Sequence, residues 1–197
     1  MDDQSSKYSI KDKIVSKIRR MKVVLRTVSD SAGKITIAVI KLPPGGTVLP
    51  YFKDPISGDW KIVVVKQFRP AVKNETFEAP GGMVDAGETA IEALSRELEE
   101  ETGIKIEPQS IQIVLYEHVS PSALDYCQFG GIAKISPKMI KRKKAGKKEE
   151  GEQTKIEILN LVDILKKRDV CAIRLDLLTS RLLDEVAKAT DLLVKKY

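Results

Sequence analysis

Four glutamates fall within the five residues from Glu97 to Glu101, and like charges this dense limit what the segment can be. Thr89 and Glu92 have the T-x-x-E spacing of a capping box, and Gly103 stands where a left-handed C-terminal stop belongs, so the segment between them is predicted helical. On a helix Glu97, Glu100 and Glu101 sit at i, i+3 and i+4 and share one face. The apolar set Ile91, Leu94 and Leu98 is centred roughly 100° away. One side can pack on a sheet while the carboxylates look into a neighbouring cleft. Pairs at this spacing repel by a few tenths of a kcal/mol when exposed and by more when partly buried. Arg96 can relieve some of this by pairing with Glu92 or Glu100, and a divalent cation would relieve more. Oxygen-only ligands point to Mg²⁺ or Mn²⁺, and the lack of Cys/His ligand sets argues against zinc. The plain alternative is an acidic, solvated helix face.

Around this helix the chain reads as a mixed α+β sandwich. Residues 1–21 are polar and basic, with Ile10, Ile14, Ile18 and Met21 at near-helical spacing. MKVVLRTV and KITIAVIKL, joined by SDSAGK, read as a hairpin of β-branched strands. LPPGG and DPISGD read as turns, KIVVVKQF as a buried strand, and PGGMVDAGE as a glycine-rich loop before the acidic helix. Further strands are expected at IQIVLYEHV, YCQFGGIAKI and KIEILNLV. Leu175, Leu178, Leu182, Val186, Ala189 and Leu193 mark a C-terminal amphipathic helix. The expected division is an N-terminal extension and β-hairpin region over residues 1–60 and a second domain over 61–197.

Charge and composition exclude several classes. The net charge is +6, but seven cations and no acid lie between Lys138 and Lys148. Without them the remainder would stand at −1, so the basicity is one local run. It is not a groove-wide stripe with interleaved aromatics, which argues against nucleic acid as the main partner. No apolar run approaches the ~18 residues that cross a bilayer, and the N-terminus has no secretory h-region. The 2 cysteines, Cys127 and Cys171, make no disulfide framework, and a reducing cytoplasm is the expected location.

Gly82, Glu88, Arg96, Glu97, Glu100, Glu101 and Gly103 fit the spacing G-x5-E-x7-R-E-U-x-E-E-x-G-U, with Leu98 and Ile104 at the apolar U positions. Here the chain resembles the Nudix hydrolases. The resemblance implies an α/β/α sandwich of mixed sheets that cleaves a nucleoside diphosphate linked to another group. It implies Mg²⁺ (or Mn²⁺) held by Glu97, Glu100 and Glu101, with the carbonyl of Gly81 as a further ligand. Gly82, Glu88, Arg96 and Gly103 then serve as structural residues of the box.

Outside the box, KQFRP followed by FEAPGG resembles the ADP-ribose pyrophosphatase and nucleoside-diphosphate-sugar branch. That branch implies Arg69 as a substrate contact, and a guanidinium fork suits a diphosphate. Glu78 either assists the site or pairs with an arginine. Pro121 falls where the branch has a proline, though it is followed by Ser122 where glycine is usual. A mobile-loop glutamate is implied as general base; Glu149, Glu150 and Glu152 are the candidates, with Glu152 nearest the next strand. The branch also implies a homodimer built through N-terminal strands. The expected activity is Mg²⁺-dependent hydrolysis of ADP-ribose to AMP and ribose 5-phosphate, by Glu100 and Glu152 among others. The alternatives are another nucleoside-diphosphate sugar as substrate, or a nucleotide-sensing or RNA-binding protein of the same fold.

Overall fold

The structure, a computed structural model, describes residues 7–140, 154–164 and 173–189. In chain order its strands and helices begin with β1 (Ser9–Ile18), β2 (Met21–Asp30), β3 (Gly33–Lys41), β4 (Gly45–Lys53), β5 (Trp60–Arg69), β6 (Asn74–Glu78), β7 (Gly81–Met83) and α1 (Ala90–Thr102). They continue with β8 (Gln112–His118), β9 (Leu124–Asp125), β10 (Cys127–Lys134), β11 (Lys155–Asn160) and α2 (Ile173–Ala189). The chain divides into one unit of residues 1–44 and 117–128 and a second of 45–116 and 129–197.

In the first unit β1, β2 and β3 form an antiparallel meander, and β9 pairs with β3 in parallel. The near-helical spacing of Ile10, Ile14, Ile18 and Met21 thus resolves into strand. Isoleucines four apart share one face of a helix, but four is also an even number, so they share one face of a strand too. Ile10 and Ile14 stand opposite Val28 and Val24, and the register shifts between Ile14 and Ser16 as at a β-bulge. Every residue of β1 is exposed. Among the apolar residues of this face lies an ion cluster. Arg26 donates to both oxygens of Asp12 at 2.8 and 2.9 Å and to Asp125 at 2.7 Å. Lys41 reaches Asp12 at 3.0 Å and Asp125 at 3.4 Å.

The sheet of the second unit runs in the order β11-β5-β4-β10-β8, with β6 also on β5 and β7 on β4. Ile62, Val63, Val64 and Val65 are all fully buried, as a strand covered on both faces requires. Alternation sends them to opposite layers. Ile62 and Val64 join Leu49 in a core with Leu175, Leu178 and Leu182 of α2. Val63 joins Val48 in a core with Leu94 and Leu98 of α1. Helix, sheet and helix stack as the amphipathic patterns indicate.

Two glycines of LPPGG, read from sequence as turn residues, lie inside β4. The role of Gly46 is close approach: a Cβ there would meet the Phe129 carbonyl oxygen at 2.8 Å and Leu94 Cδ2 at 2.9 Å. Pro50, which has no N–H to donate, falls between the β4–β7 ladder (45–47) and the β4–β5 ladder (51–53). Among the described residues no helix is long and apolar enough to cross a membrane.

The ion cluster sets a pH dependence. Hydrogen bonds from Arg26 and then Lys41 hold the Asp12 carboxyl well below the usual carboxylate range. Asp125 is lowered as well, chiefly by Arg26. An acid depressed in the folded state stabilises it fully above the unfolded value of about 3.9 and loses that contribution as pH falls toward the folded one. Urea unfolding of wild type and Asp12→Asn should therefore differ in midpoint at pH 7, and the gap should narrow as pH falls to 3. A gap independent of pH would contradict this assignment.

Candidate functional site

Helix α1 begins where the sequence placed it. Thr89 accepts the Glu92 N–H on its hydroxyl, and the Glu92 carboxylate accepts the Thr89 N–H at 2.8 Å. The Thr89 hydroxyl, which also donates to that carboxylate at 2.7 Å, and then the Thr89 N–H lower the Glu92 carboxyl below its ordinary value. At the other end Gly103 adopts φ 71° and donates its N–H to the Glu99 carbonyl at 2.8 Å. The loop before α1 turns at Asp85–Glu88, where the Glu88 N–H reaches the Asp85 carbonyl at 3.1 Å. Gly87 has φ 89°, the value the third residue of a type II turn demands.

Arg96 joins this loop to the helix with all its N–H groups. Nε donates to Glu88 Oε1 at 2.8 Å, and Nη2 to Glu88 Oε2 and the Met83 carbonyl, both at 3.0 Å. Nη1 donates to Glu97 Oε1 at 2.9 Å and Glu100 Oε2 at 3.4 Å. The hydrogen bond to Glu88, with Glu97 adding to it, raises the guanidinium further above its already high ordinary value.

The three carboxylates of the shared face have different surroundings. Glu101 is buried, at 3% exposure, and its Oε2 accepts the Gly81 N–H at 3.1 Å. Glu97 is mostly buried and lies against Gly82, where a Cβ would stand 2.2 Å from Oε1. Glu100 remains half-exposed. The ladder register explains why Gly81 can serve Glu101. The Val48 N–H donates to the Pro80 carbonyl at 2.8 Å, so in an antiparallel pair the next bonded position is residue 82. Gly81 lies between, and its N–H and C=O both turn away from β4. Gly46 and Gly82 pair directly in that register. Their missing side chains leave room for Leu94 and Glu97, one turn apart on α1.

A second cluster lies on the β5–β6 hairpin. Arg69 forks onto Glu78, Nε to Oε1 at 2.7 Å and Nη2 to Oε2 at 2.6 Å. Gln67 and Thr76 donate to the same carboxylate at 3.3 and 2.5 Å. The structure thus brings Arg69 and Glu78 together. Sequence reasoning missed Gln67 and Thr76, although period-two alternation puts 67 with 69 and 76 with 78. Trp60 packs on the α2-side core with its ring 5.8 Å from that of Tyr51. Glu149, Glu150, Glu152, Cys171 and the basic run beyond Ile140 lie outside the described residues.

Among the described residues no three His, Cys, Asp or Glu side chains are already gathered in ligating positions. The donor set itself is carboxylate and peptide oxygen. Glu97 and Glu101 flank Gly81 and Gly82, whose carbonyl edge is free of the β4 ladder at residue 81, and Glu100 stands one turn along from Glu97. Such a set suits a hard divalent cation.

Residues 55–129 match the NUDIX domain family. The chain is 31% identical over 108 residues to an uncharacterized Nudix hydrolase of Schizosaccharomyces pombe, covering 52% of this chain and 47% of that protein. Over 87 residues it is 39% identical to an ADP-ribose pyrophosphatase of Saccharomyces cerevisiae, covering 44% and 34%. Over 44 residues it is 48% identical to an ADP-sugar pyrophosphatase of Mus musculus, covering 22% and 20%. The chain thus spans less than half the length of each of these relatives. A crystal structure described as an ADP compounds hydrolase superposes with a TM-score of 0.68 at 18% identity, covering 95% of this chain and 97% of that one. That likeness shows the fold, the α+β Nudix sandwich with its N-terminal β-sheet.

The paired glycines separate stability from function. Gly46→Ala drives a methyl into a backbone carbonyl and a core leucine, and should cost about 1–3 kcal/mol in urea unfolding. Gly82→Ala meets only the end of the Glu97 side chain, which can swing away. It should keep most of the stability and displace the carboxylate, so that divalent-cation binding measured by calorimetry weakens. Equal stability losses without a binding change would contradict the arrangement.

Proposed function

We propose that the protein hydrolyses the pyrophosphate bond of ADP-ribose, releasing AMP and ribose 5-phosphate, with Mg²⁺ or Mn²⁺ as cofactor. The observation that carries the reading is Glu101. A carboxylate buried to this degree is costly unless it is hydrogen-bonded, paired or bound to a cation, and here it accepts the Gly81 N–H and stands with Glu97 beside Gly81 and Gly82 of a complete Nudix box. The names of the yeast and mouse relatives support the substrate class.

Glu97, Glu100 and Glu101, with the Gly81 carbonyl, would hold the cation. When bound, the cation neutralises diphosphate charge and lowers the pKa of water for attack on phosphorus. The chain's own residues do the remaining work. Glu101 keeps its orientation through the Gly81 N–H, and the close fit at Gly82 fixes Glu97. Arg69, its plane set by Glu78, binds diphosphate oxygens with a guanidinium already ordered for the task. A loop glutamate among Glu149, Glu150 and Glu152, with Glu152 the choice nearest β11, accepts the proton of the attacking water. Water adds to one phosphorus and the bridging oxygen leaves with the other phosphate; two protons are released as both phosphate monoesters become dianions near neutral pH.

The ADP-sugar pyrophosphatase relative and Ser122 after Pro121 favour a second substrate assignment, another ADP-linked sugar, with the same residues and mechanism. We also propose a homodimer through the N-terminal strands, whose edge strand β1 is exposed along its length. Residues 1–60 would then be the dimerisation region and 61–197 the hydrolase domain.

Purified protein with Mg²⁺ should release AMP and ribose 5-phosphate from ADP-ribose faster than it cleaves other sugar nucleotides, NADH or dinucleoside polyphosphates. EDTA should abolish turnover, and Glu101→Gln should lower kcat by about 10²-fold or more, the scale of losing one charge-stabilising group. Arg69→Gln should act mainly on KM. Turnover indifferent to EDTA and to Glu101→Gln, or no turnover of any of these compounds, would overturn the proposal.

A further inference from the structure

The two edges of the Arg96 guanidinium perform different tasks. Nε and Nη2 hold the loop, through Glu88 and the Met83 carbonyl at 2.8–3.0 Å. Nη1 alone spans Glu97 and Glu100, at 2.9 and 3.4 Å. Helix spacing accounts for the second of these contacts and not for the first. Residues i and i+4 are neighbours on a helix, whereas i and i+1 diverge by about 100°. Nη1 reaches Glu97 because the loop fixes where the guanidinium lies. The result is a cation lodged between two of the three carboxylates that the proposed function gives to the metal.

Resting on that reading, we infer that Arg96 Nη1 is a built-in stand-in for the divalent cation, holding Glu97 and Glu100 when the metal is absent and yielding them when it binds. Without a counter-charge, glutamates at i, i+3 and i+4 repel each other, and more strongly where Glu97 and Glu101 are withdrawn from water. Nη1 offsets this repulsion in the metal-free protein. A divalent ion held by the same two carboxylates would compete with Nη1 for their charge. The loop-side bonds are made by Nε and Nη2 and survive the exchange, so loop and helix stay joined in both states. The arginine stabilises the empty site and, by the same contacts, competes with the ion that fills it.

A bracing role and a stand-in role give opposite signs in metal binding. A mere brace, once removed, loosens the loop, weakens metal binding and lowers the melting temperature at least as much with metal as without it. For a stand-in, Arg96→Gln should lower the melting temperature in EDTA, and saturating Mn²⁺ should restore much of the loss. Mn²⁺ binding to metal-free protein, read from the electron paramagnetic resonance signal of the free ion, should tighten about two- to fivefold, the worth of displacing a partly exposed ion pair. Arg96→Lys keeps the charge but lacks the fork, and should tighten binding by a smaller factor. It also decides the matter if Arg96→Gln fails to fold. Mn²⁺ binding that is unchanged or weaker in both variants overturns the inference, as does tightening in Arg96→Gln alone, which marks net charge as the cause. Wild-type protein that takes up no Mn²⁺ overturns the metal reading itself.

Discussion

Helix α1 can bring carboxylates to the sheet only because two glycines are paired where it crosses. Gly46 on β4 and Gly82 on β7 are register partners, and each lacks the atom that would hold the helix off. Leu94 fills the space at the first and Glu97 the space at the second. An apolar anchor and the Glu97 carboxylate, one turn apart on α1, thus depend on a single glycine pair. Glu101 follows one turn later and takes the Gly81 N–H, a donor the β4 ladder does not use. Arg96 then joins the far side of the same loop to the helix, so the loop is fixed at Gly81, Gly82, Met83 and Glu88 in succession.

What was legible in the sequence was local. The capping box at Thr89 and Glu92, the left-handed stop at Gly103, the buried run Ile62–Val65 and the leucine stripe of α2 each follow from neighbours a few residues apart, and each is in the structure. What was hidden was non-local or ambiguous in period. The isoleucines of β1 recur at an interval that suits helix and strand alike, and only pairing with β2 decides between them. Gly45 and Gly46 look like a turn until Leu94 and Phe129 are seen against Gly46. The unequal burial of Glu97, Glu100 and Glu101 is likewise invisible to a helical wheel. It is set by which of them meets the β7 glycines. Gln67 and Thr76 carry no motif and gain meaning only through the Glu78 carboxylate they share with Arg69.

The first unit follows a different economy. Its sheet carries exposed isoleucines on the face that also holds Arg26, Asp12, Lys41 and Asp125. A charged cluster joining β1, β2, β3 and β9 specifies register, because a one-residue slip would turn Asp12 to the other face and leave Arg26 without it. Apolar residues alone would bind the strands together but would not distinguish one register from the next.

The central claim is that Glu97, Glu100, Glu101 and Gly81 form one cation site. The most direct measurement is paramagnetic broadening of backbone amide resonances in ¹⁵N-labelled protein as Mn²⁺ is added below stoichiometry. The account requires the amides of Gly81, Gly82 and the 97–101 turn to broaden first, while those of β1 and α2 stay sharp. Broadening centred elsewhere, or none, would contradict it.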